Sequence, residues 1–595
     1  MDIEKRKYVI YVFCTVIFFV FVIRLAYLQL FTSEELSRES DKNSVKTITL
    51  TPPRGLMYDR NGKVLVDNKP SYTVTITPSQ FDKNNLNEIA GVLELKPEEL
   101  SENLKNIKGT NRFNPAKIKR DVEFKVVSYI AENKDRLSGV DYQIEAIRYY
   151  PNNFRGSHSF GYASEISQKN LEKQIGNYYT QGDVVGSSGL EATYENDLRG
   201  VKGYKFITVD VKGREIGGLN EGKNDIPPVN GSDLILGMDK ELQEYAEKLM
   251  ENKRGAVIAV DPKNGEILCF VSKPDYDLSL FAGKTDPKVF YNLLNDEEKP
   301  LFNRVTQTKY PPGSTWKMMM SLAALDAGVI TTTSTIACPG SFTYGNRTFE
   351  DHGAYGAINV VRALEVSANV FYYKLGLQIG IDNYHKYGKL LGFGTKTGID
   401  IPNETSGLLP SREYLDKRYG VNKWPQGLLV SLGIGQGELG VSPVQMAAYT
   451  AAIAMNGLYC QPHFVSKIRR NDNTEESKSF EQRRIDMPLK YFEAVKKGMF
   501  LVVNGTGTAK GIVNKDFILS GKTGTAQNSS GKNHSWFVGF APFDDPQIAI
   551  CVLGENEGWG ASFAAPLAGK LMVRYLGGEQ YELDNEIKMV NGQPD

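Results

Sequence analysis

The run Ala256-Val257-Ile258-Ala259-Val260-Asp261-Pro262-Lys263-Asn264-Gly265-Glu266-Ile267-Leu268-Cys269-Phe270-Val271 holds two short apolar segments around a polar centre. Asp-Pro and Asn-Gly favour turns, so the two segments read as a β-hairpin. Three further strand-like segments come from the far end of the chain, Phe517 to Ala526, Ser535 to Phe540 and Ile548 to Leu553, separated by Asn528 to Asn533 and Pro542 to Pro546. Helical patterns lie between the two strand groups, at Ser314 to Asp326, Val360 to Ile379 and Pro443 to Asn456. Two early strands and three late ones around a helical middle predict an α+β layer domain with a five-stranded antiparallel sheet.

The first of these helical segments carries chemistry. Tyr310-Pro311-Pro312-Gly313 reads as a stop, and Ser314-Thr315-Trp316-Lys317 then opens an apolar helix in which Met318, Leu322 and Leu325 recur at helical spacing. Residues three apart share a helix face, so the Lys317 amine is expected to reach the Ser314 oxygen. A buried amine near other cations loses proton affinity and can then take the proton of a serine nucleophile. The helix N-terminus favours negative charge developing at that serine.

S-x-x-K by itself is common, and it recurs here at Ser529-Ser530-Gly531-Lys532 within a turn-like stretch. Two downstream motifs give the first copy its context: Ser367-Ala368-Asn369, and Lys522-Thr523-Gly524-Thr525. Each also has a second copy, Ser101-Glu102-Asn103 in a charged stretch and Lys396-Thr397-Gly398 between Gly394 and Ile399-Asp400-Ile401. Ser367 and Asn369 stand between two apolar helical stretches, which suits a cleft wall. Lys522 follows the apolar Phe517-Ile518-Leu519, and Gly524 offers no side chain, which would let a substrate backbone approach the strand edge.

S-x-x-K, S-x-N and K-T-G in this order resemble the active-site motifs of the penicillin-recognising serine transpeptidases. The likeness extends over nearly the whole chain. Pro52-Pro53-Arg54-Gly55-Leu56-Met57-Tyr58-Asp59-Arg60-Asn61-Gly62, and later Gly186-Ser187-Ser188-Gly189-Leu190-Glu191 with Leu198-Arg199-Gly200, resemble the non-catalytic module of class B penicillin-binding proteins. Gly255-Ala256-Val257 through Asp261-Pro262-Lys263-Asn264-Gly265-Glu266 resembles the start of their transpeptidase domain. Tyr310-Pro311-Pro312-Gly313 and Ile434-Gly435-Gln436-Gly437 are more similar to the elongation type than to the division type, which usually carries an acidic residue before Pro-Gly-Ser.

The resemblance implies acyl transfer in two steps. Ser314 attacks the D-Ala-D-Ala end of a peptidoglycan stem peptide, D-alanine leaves, and an amine from a second stem peptide resolves the ester. Lys317 is the implied general base, with Ser367 relaying a proton between Lys317 and the leaving amine. Asn369 is expected to hydrogen-bond the donor's backbone amide, and Lys522, Thr523 and Thr525 its terminal carboxylate, with Gly524 beside them. The backbone N–H groups of Ser314 and Thr525 are the implied oxyanion hole. β-Lactams, as mimics of that peptide end, are expected to acylate Ser314. No glycosyltransferase signature accompanies these motifs, so the implied partner is a glycan-polymerising, multi-spanning SEDS protein of the RodA type.

Composition adds the setting. The chain has 595 residues, too many for one domain, with 41% apolar content, and its 70 Lys plus Arg balance 70 Asp plus Glu, so nothing points to nucleic acid. Lys5-Arg6-Lys7 precedes an uncharged run from Tyr8 to Ile23, which continues past Arg24 to Phe31. That length spans a bilayer as one helix, with Arg24 snorkelling. Leu28-Gln29-Leu30-Phe31-Thr32 lacks the small residues of a cleavage site, so an anchor is expected rather than a signal peptide. The basic cluster puts the N-terminus in the cytoplasm and the remainder on the extracytoplasmic side. Expected divisions are a cytoplasmic tail at 1–7, the membrane helix at 8–31, a β-rich pedestal or dimerisation-type domain at 32–235, the transpeptidase domain at 236–580 and a polar tail at 581–595. Within the pedestal, Lys63 to Ile76 alternates as strands, and Leu86 to Ser138 is charged and helical in pattern, giving an inserted head lobe at about 77–140.

Five cysteines, at 14, 269, 338, 460 and 551, are too scattered for a disulfide framework, and Cys269 and Cys551 read as buried hydrophobes. The five histidines show no metal-ligand spacing; Asp351-His352 near Cys338 is the one grouping that would suit zinc, and no metal or other cofactor is expected. Besides the division-type enzyme, two other readings share the motifs: a D,D-carboxypeptidase or membrane-bound β-lactamase, with water as acceptor, and a β-lactam sensor. The long pedestal argues against the hydrolase. The roughly seven residues before the span leave no room for a sensor's output module.

Overall fold

A computed structural model describes residues 3–30, 45–107, 114–173, 178–209, 215–282, 286–528 and 531–577. The polar tail expected at 581–595, most of the linker after the membrane helix, and Ser529 and Ser530 of the second S-x-x-K lie outside these residues.

The α+β expectation is met. The hairpin strands are β1 (Gly255–Val260) and β2 (Ile267–Lys273). The middle supplies α1 (Lys317–Asp326), α2 (Val360–Glu365), α3 (Asn369–Leu390), α4 (Pro443–Ala454) and α5 (Leu489–Asn504). The late strands are β3 (Ser520–Ala526), β4 (His534–Ala541) and β5 (Ile548–Gly554), and α6 (Ala564–Tyr575) follows. The sheet order is β2-β1-β5-β4-β3, antiparallel throughout, which leaves β3 on an edge.

Alternation along the strands explains the layering. Ala256, Ile258, Trp536, Val538, Cys551 and Leu553 face one apolar core, while Val257, Ala259, Phe537, Ile550 and Val552 face another. Both faces are therefore covered, and strands buried on both faces read as continuous apolar runs. Every residue of α4 is buried, as a helix apolar all round requires. Each fully buried Val, Leu or Ile in these layers contributes about 1.5–3 kcal/mol.

Three details depart from the sequence reading. The segment at Val360 to Ile379 is two helices, broken by Ser367, whose φ is 57°. Ser314 stands in a 3-10 turn, Gly313–Trp316, that feeds α1 rather than inside an α-helix. The strand Val64–Ile76 runs unbroken through Pro70, which falls between the stretch paired to Met57–Tyr58 and the stretch paired to Ala116–Val122, where one edge is open. A missing N–H is tolerated there.

The head lobe has its own core of Val74, Ile76, Ile89, Leu93, Ile130 and Val140 among others. It is not wholly helical between Leu86 and Ser138, because Ala116–Val122 is a strand. Ile118 and Val122 are its buried positions, and the Lys117 amine pairs with Glu145 on the strand Val140–Tyr149, which like Ala116–Val122 is paired to Val64–Ile76. Among the described residues, those within 54–199 and from 231 onward form one compact unit; those up to 53 with those within 200–230 form a second, which contains the antiparallel sheet Val45–Leu50, Gly203–Val209 and Glu215–Gly218. The helix Ile3–Leu30 contains an unburied apolar stretch, Lys7–Tyr27, long enough to cross a bilayer.

Candidate functional site

The Ser314 turn is locked to the sheet edge by glycine. A Cβ on Gly313, which has φ 57°, would lie 2.5 Å from the Thr525 carbonyl oxygen, and one on Gly524 would lie 2.7 Å from that of Pro312. Position 524 is small because the Ser314 turn occupies the space, a different reason from the substrate approach read in the sequence. Thr315 Oγ1 donates to the Pro312 carbonyl at 2.8 Å and closes the turn. Trp316 and Lys317 are fully buried, while Ser314 stays half-exposed.

All three motifs converge on one hydroxyl, that of Ser367. Lys317 Nζ lies 3.2 Å from Ser367 Oγ, and Lys522 Nζ lies 2.9 Å from the same atom. Lys317 also donates to the Ser367 carbonyl at 2.6 Å and to Asn369 Oδ1 at 2.7 Å. Lys522 donates to the Thr523 carbonyl at 3.1 Å. The amine expected to bond Ser314 thus has its hydrogen bonds on Ser367 and Asn369, and among the described residues Ser314 Oγ makes none. The left-handed backbone at Ser367 makes this convergence possible, by turning the chain between α2 and α3 so that residues 367 and 369 meet one amine.

Burial sets the electrostatics. It pushes the Lys317 ammonium from 10.5 down to about 7, against a smaller raising effect from the Asp351 carboxylate. Lys522 is pushed well below its ordinary value by burial and then by the neighbouring Lys317 charge. Beneath Lys317, the Tyr372 ring lies 5.5 Å from Nζ, and Tyr372 Oη pairs with Ser321 Oγ at 2.8 Å. The result is a pair of buried amines that resist protonation.

Four residues here were given no catalytic or substrate-binding role by the motif reading. Asp351 accepts the backbone N–H groups of Asn369 at 2.8 Å and Val370 at 2.7 Å, and so caps α3, whose N-cap Ala368 has no acceptor of its own. Thr508 Oγ1 sits 2.5 Å from Thr523 Oγ1. Glu365 accepts the Thr506 N–H at 2.8 Å and bridges to Arg362 at 2.8 Å, which ties α2 to the loop after α5. Gln436 donates to the Thr525 carbonyl at 3.0 Å. The uncapped helix start at Ala368 was the available signal for Asp351. Its carboxylate also accepts the His352 N–H, and among the described residues no three metal-ligating side chains come together.

Two of the second motif copies lie in structural settings away from this cleft. Thr397 N–H, Thr397 Oγ1 and Gly398 N–H all donate to Glu404, at 2.6, 2.7 and 3.0 Å. Ser101 and Asn103 lie on the helix Pro97–Asn106 of the head lobe.

A half-exposed serine before a buried lysine, facing a hydroxyl shared with a second lysine on a sheet edge, defines a penicillin-recognising serine acyltransferase. A model of the penicillin binding protein transpeptidase domain matches residues 255–573, and one of the penicillin-binding protein dimerisation domain matches residues 49–236. The chain belongs to the penicillin-binding protein transpeptidase family. The peptidoglycan D,D-transpeptidase MrdA of Acinetobacter baumannii is 34% identical over 574 residues, 92% of this chain and 83% of that relative. The penicillin-binding protein PBP2 of Helicobacter pylori, solved in complex with MreC, superposes with a TM-score of 0.79 at 31% identity, covering 90% of this chain and 99% of that one. A chain of a solved peptidoglycan synthase complex gives a TM-score of 0.72 at 27% identity, over 97% and 99%.

Proposed function

We propose that this protein is a membrane-anchored peptidoglycan D,D-transpeptidase of the elongation type, cross-linking stem peptides through a Ser314 acyl-enzyme. The observation that carries the reading is the shared contact of Lys317 and Lys522 with Ser367 Oγ beside the Ser314 turn. An amine whose pKa burial lowers to about 7 can lose its proton near pH 7, which is what a general base for serine needs.

In the first step neutral Lys317 turns from Asn369 toward Ser314 and takes its proton. The Ser314 oxygen bonds to the carbonyl carbon of the penultimate D-alanine. As the tetrahedral centre collapses the C–N bond breaks, and the leaving D-alanine amine receives a proton passed from Lys317 through Ser367 Oγ. In the second step an acceptor amine gives its proton back along the same path and attacks the ester, which frees Ser314 and forms the cross-link. Asn369 Nδ2 binds a backbone amide of the donor. Lys522, Thr523 and Thr525 hold the donor carboxylate alongside Gly524, and the N–H groups of Ser314 and Thr525 stabilise the oxyanion.

The apolar helix near the N-terminus is the anchor, with the catalytic unit on the extracytoplasmic side. Glycan polymerisation falls to a partner, a SEDS polymerase of the RodA type; the relative solved within a peptidoglycan synthase complex that coordinates polymerisation and cross-linking supports such an assembly. Lipid-linked pentapeptide polymer supplied to the purified protein tests the reading. Cross-linked dimers are expected; free D-alanine without dimers would make it a carboxypeptidase. Replacing residues 8–31 by an unrelated membrane helix is expected to abolish co-purification with the polymerase.

A further inference from the structure

β3 pairs with β4 on one side only, Thr525 opposite Ser535 and Ala526 opposite His534, and its other edge borders the Ser314 turn. On that open edge the carboxamide of Gln436 stands where a peptide group would. Its Nε2 donates to the Thr525 carbonyl at 3.0 Å, and its Oε1 accepts the Gln527 N–H at 3.4 Å. A carbonyl and the N–H two residues on are the pair that one residue of an adjoining parallel strand engages. A side-chain amide, with one donor and one acceptor group, reproduces that pairing.

The backbone carrying Gln436 is fixed against the nucleophile. Gly313 N–H donates to the Gly435 carbonyl at 2.9 Å, and the Gln436 N–H donates to Ser431 at 3.0 Å. A Cβ at Gly435, where φ is 72°, would lie 2.2 Å from the Gly313 carbonyl oxygen. The following Gly437 has φ 82° and only Ser431 Cβ, at 3.6 Å, near its own missing side chain. The backbone is held and the half-buried side chain is the part free to move.

We infer that Gln436 is a placeholder at the donor subsite: it satisfies the Thr525 carbonyl in the free enzyme and yields that acceptor to an amide N–H of the incoming ligand. This rests on the transpeptidase reading. It makes position 436 a determinant of specificity, since a ligand that carries an N–H for the Thr525 carbonyl replaces the bond it breaks. A ligand without one leaves the glutamine in place. Gln436 thereby gives a role to the Ile434-Gly435-Gln436-Gly437 motif, which the transpeptidase chemistry leaves without one.

The test uses the full-length protein in detergent and two acylating probes, benzylpenicillin, which bears an acylamino N–H, and clavulanic acid, which has no substituent at the corresponding carbon. Gln436→Ala removes the placeholder, and Gln436→Glu keeps its shape but cannot donate to Thr525. The ratio of the two acylation rate constants, measured on one preparation, is independent of the active fraction. A two- to tenfold rise of the benzylpenicillin to clavulanate ratio in both variants is expected. A ratio that is unchanged or falls in Gln436→Glu overturns the placeholder. Failure of the wild type to be acylated by either probe would instead sink the transpeptidase reading.

Discussion

Two clusters of buried charge in this molecule obey opposite rules. In the pedestal, Glu191 is fully buried between Arg54 at 2.5 Å and Arg148 at 2.6 Å, and Arg54 also meets Glu195 at 2.6 Å. Burial alone would raise the Glu191 carboxyl, but Arg148 and Arg54 together bring it below its ordinary value. In the cleft, Lys317 and Lys522 are just as buried, yet they meet a hydroxyl, an amide and carbonyls, with Asp351 acting on Lys317 only as a smaller influence. Compensated charge is fixed and holds a structure together. Uncompensated amines shed protons, and proton traffic is what the cleft needs.

The comparison can be broken at several points. Ser314→Ala should abolish labelling by fluorescent penicillin, a loss of at least about a thousandfold, while the thermal midpoint stays put, because among the described residues the hydroxyl has no hydrogen-bond partner. Equal labelling of mutant and wild type would remove the nucleophile from the account. Glu191→Gln leaves Arg148 facing a neutral amide, with Arg54 still held by Glu195, and should cost about 3–5 kcal/mol of stability by denaturant titration. Benzylpenicillin acylation per folded molecule should be unchanged in that variant; a loss of acylation at full stability would show that the pedestal cluster is functional rather than structural.

Gly524→Ala forces a methyl to within 2.7 Å of the Pro312 oxygen, and a destabilisation of about 1–3 kcal/mol with slowed acylation is expected. Normal acylation there would show that the turn has room to yield. The smallest effect is the most diagnostic. Asp351→Asn removes the charge that raises Lys317, so the midpoint of the acylation pH profile should fall below that of wild type, with the plateau rate reduced about tenfold by the weakened cap on α3. A midpoint that rises would contradict the sign of the Asp351 influence.

The sheet was legible because its strands are buried on both faces and bounded by turn pairs, so a period-free apolar run sufficed. Ser314, Lys317, Ser367, Asn369 and Lys522 were legible as motifs, but not the way their atoms meet. Nothing in S-x-x-K says that the amine points to Ser367 rather than to Ser314; that follows from the left-handed turn at Ser367, a conformation usually left to glycine or asparagine. Asp351 was hidden because its partners are backbone N–H groups 18 residues downstream. The strand Ala116–Val122 was hidden by charge, since Lys117, Lys119 and Arg120 mask the two buried positions that set its period.

Burial keeps the Lys317 amine poised to lose its proton near pH 7, and the pH dependence of Ser314 acylation reads this directly. Because burial lowers the amine's affinity for protons, the proposed base is protonated below about pH 7 and free above it. The benzylpenicillin acylation rate constant of the wild type should therefore rise about tenfold per pH unit up to a midpoint near 7 and then level off. A profile that is flat from pH 5.5 to 9, or that keeps climbing toward the ordinary lysine value near 10.4, would contradict it.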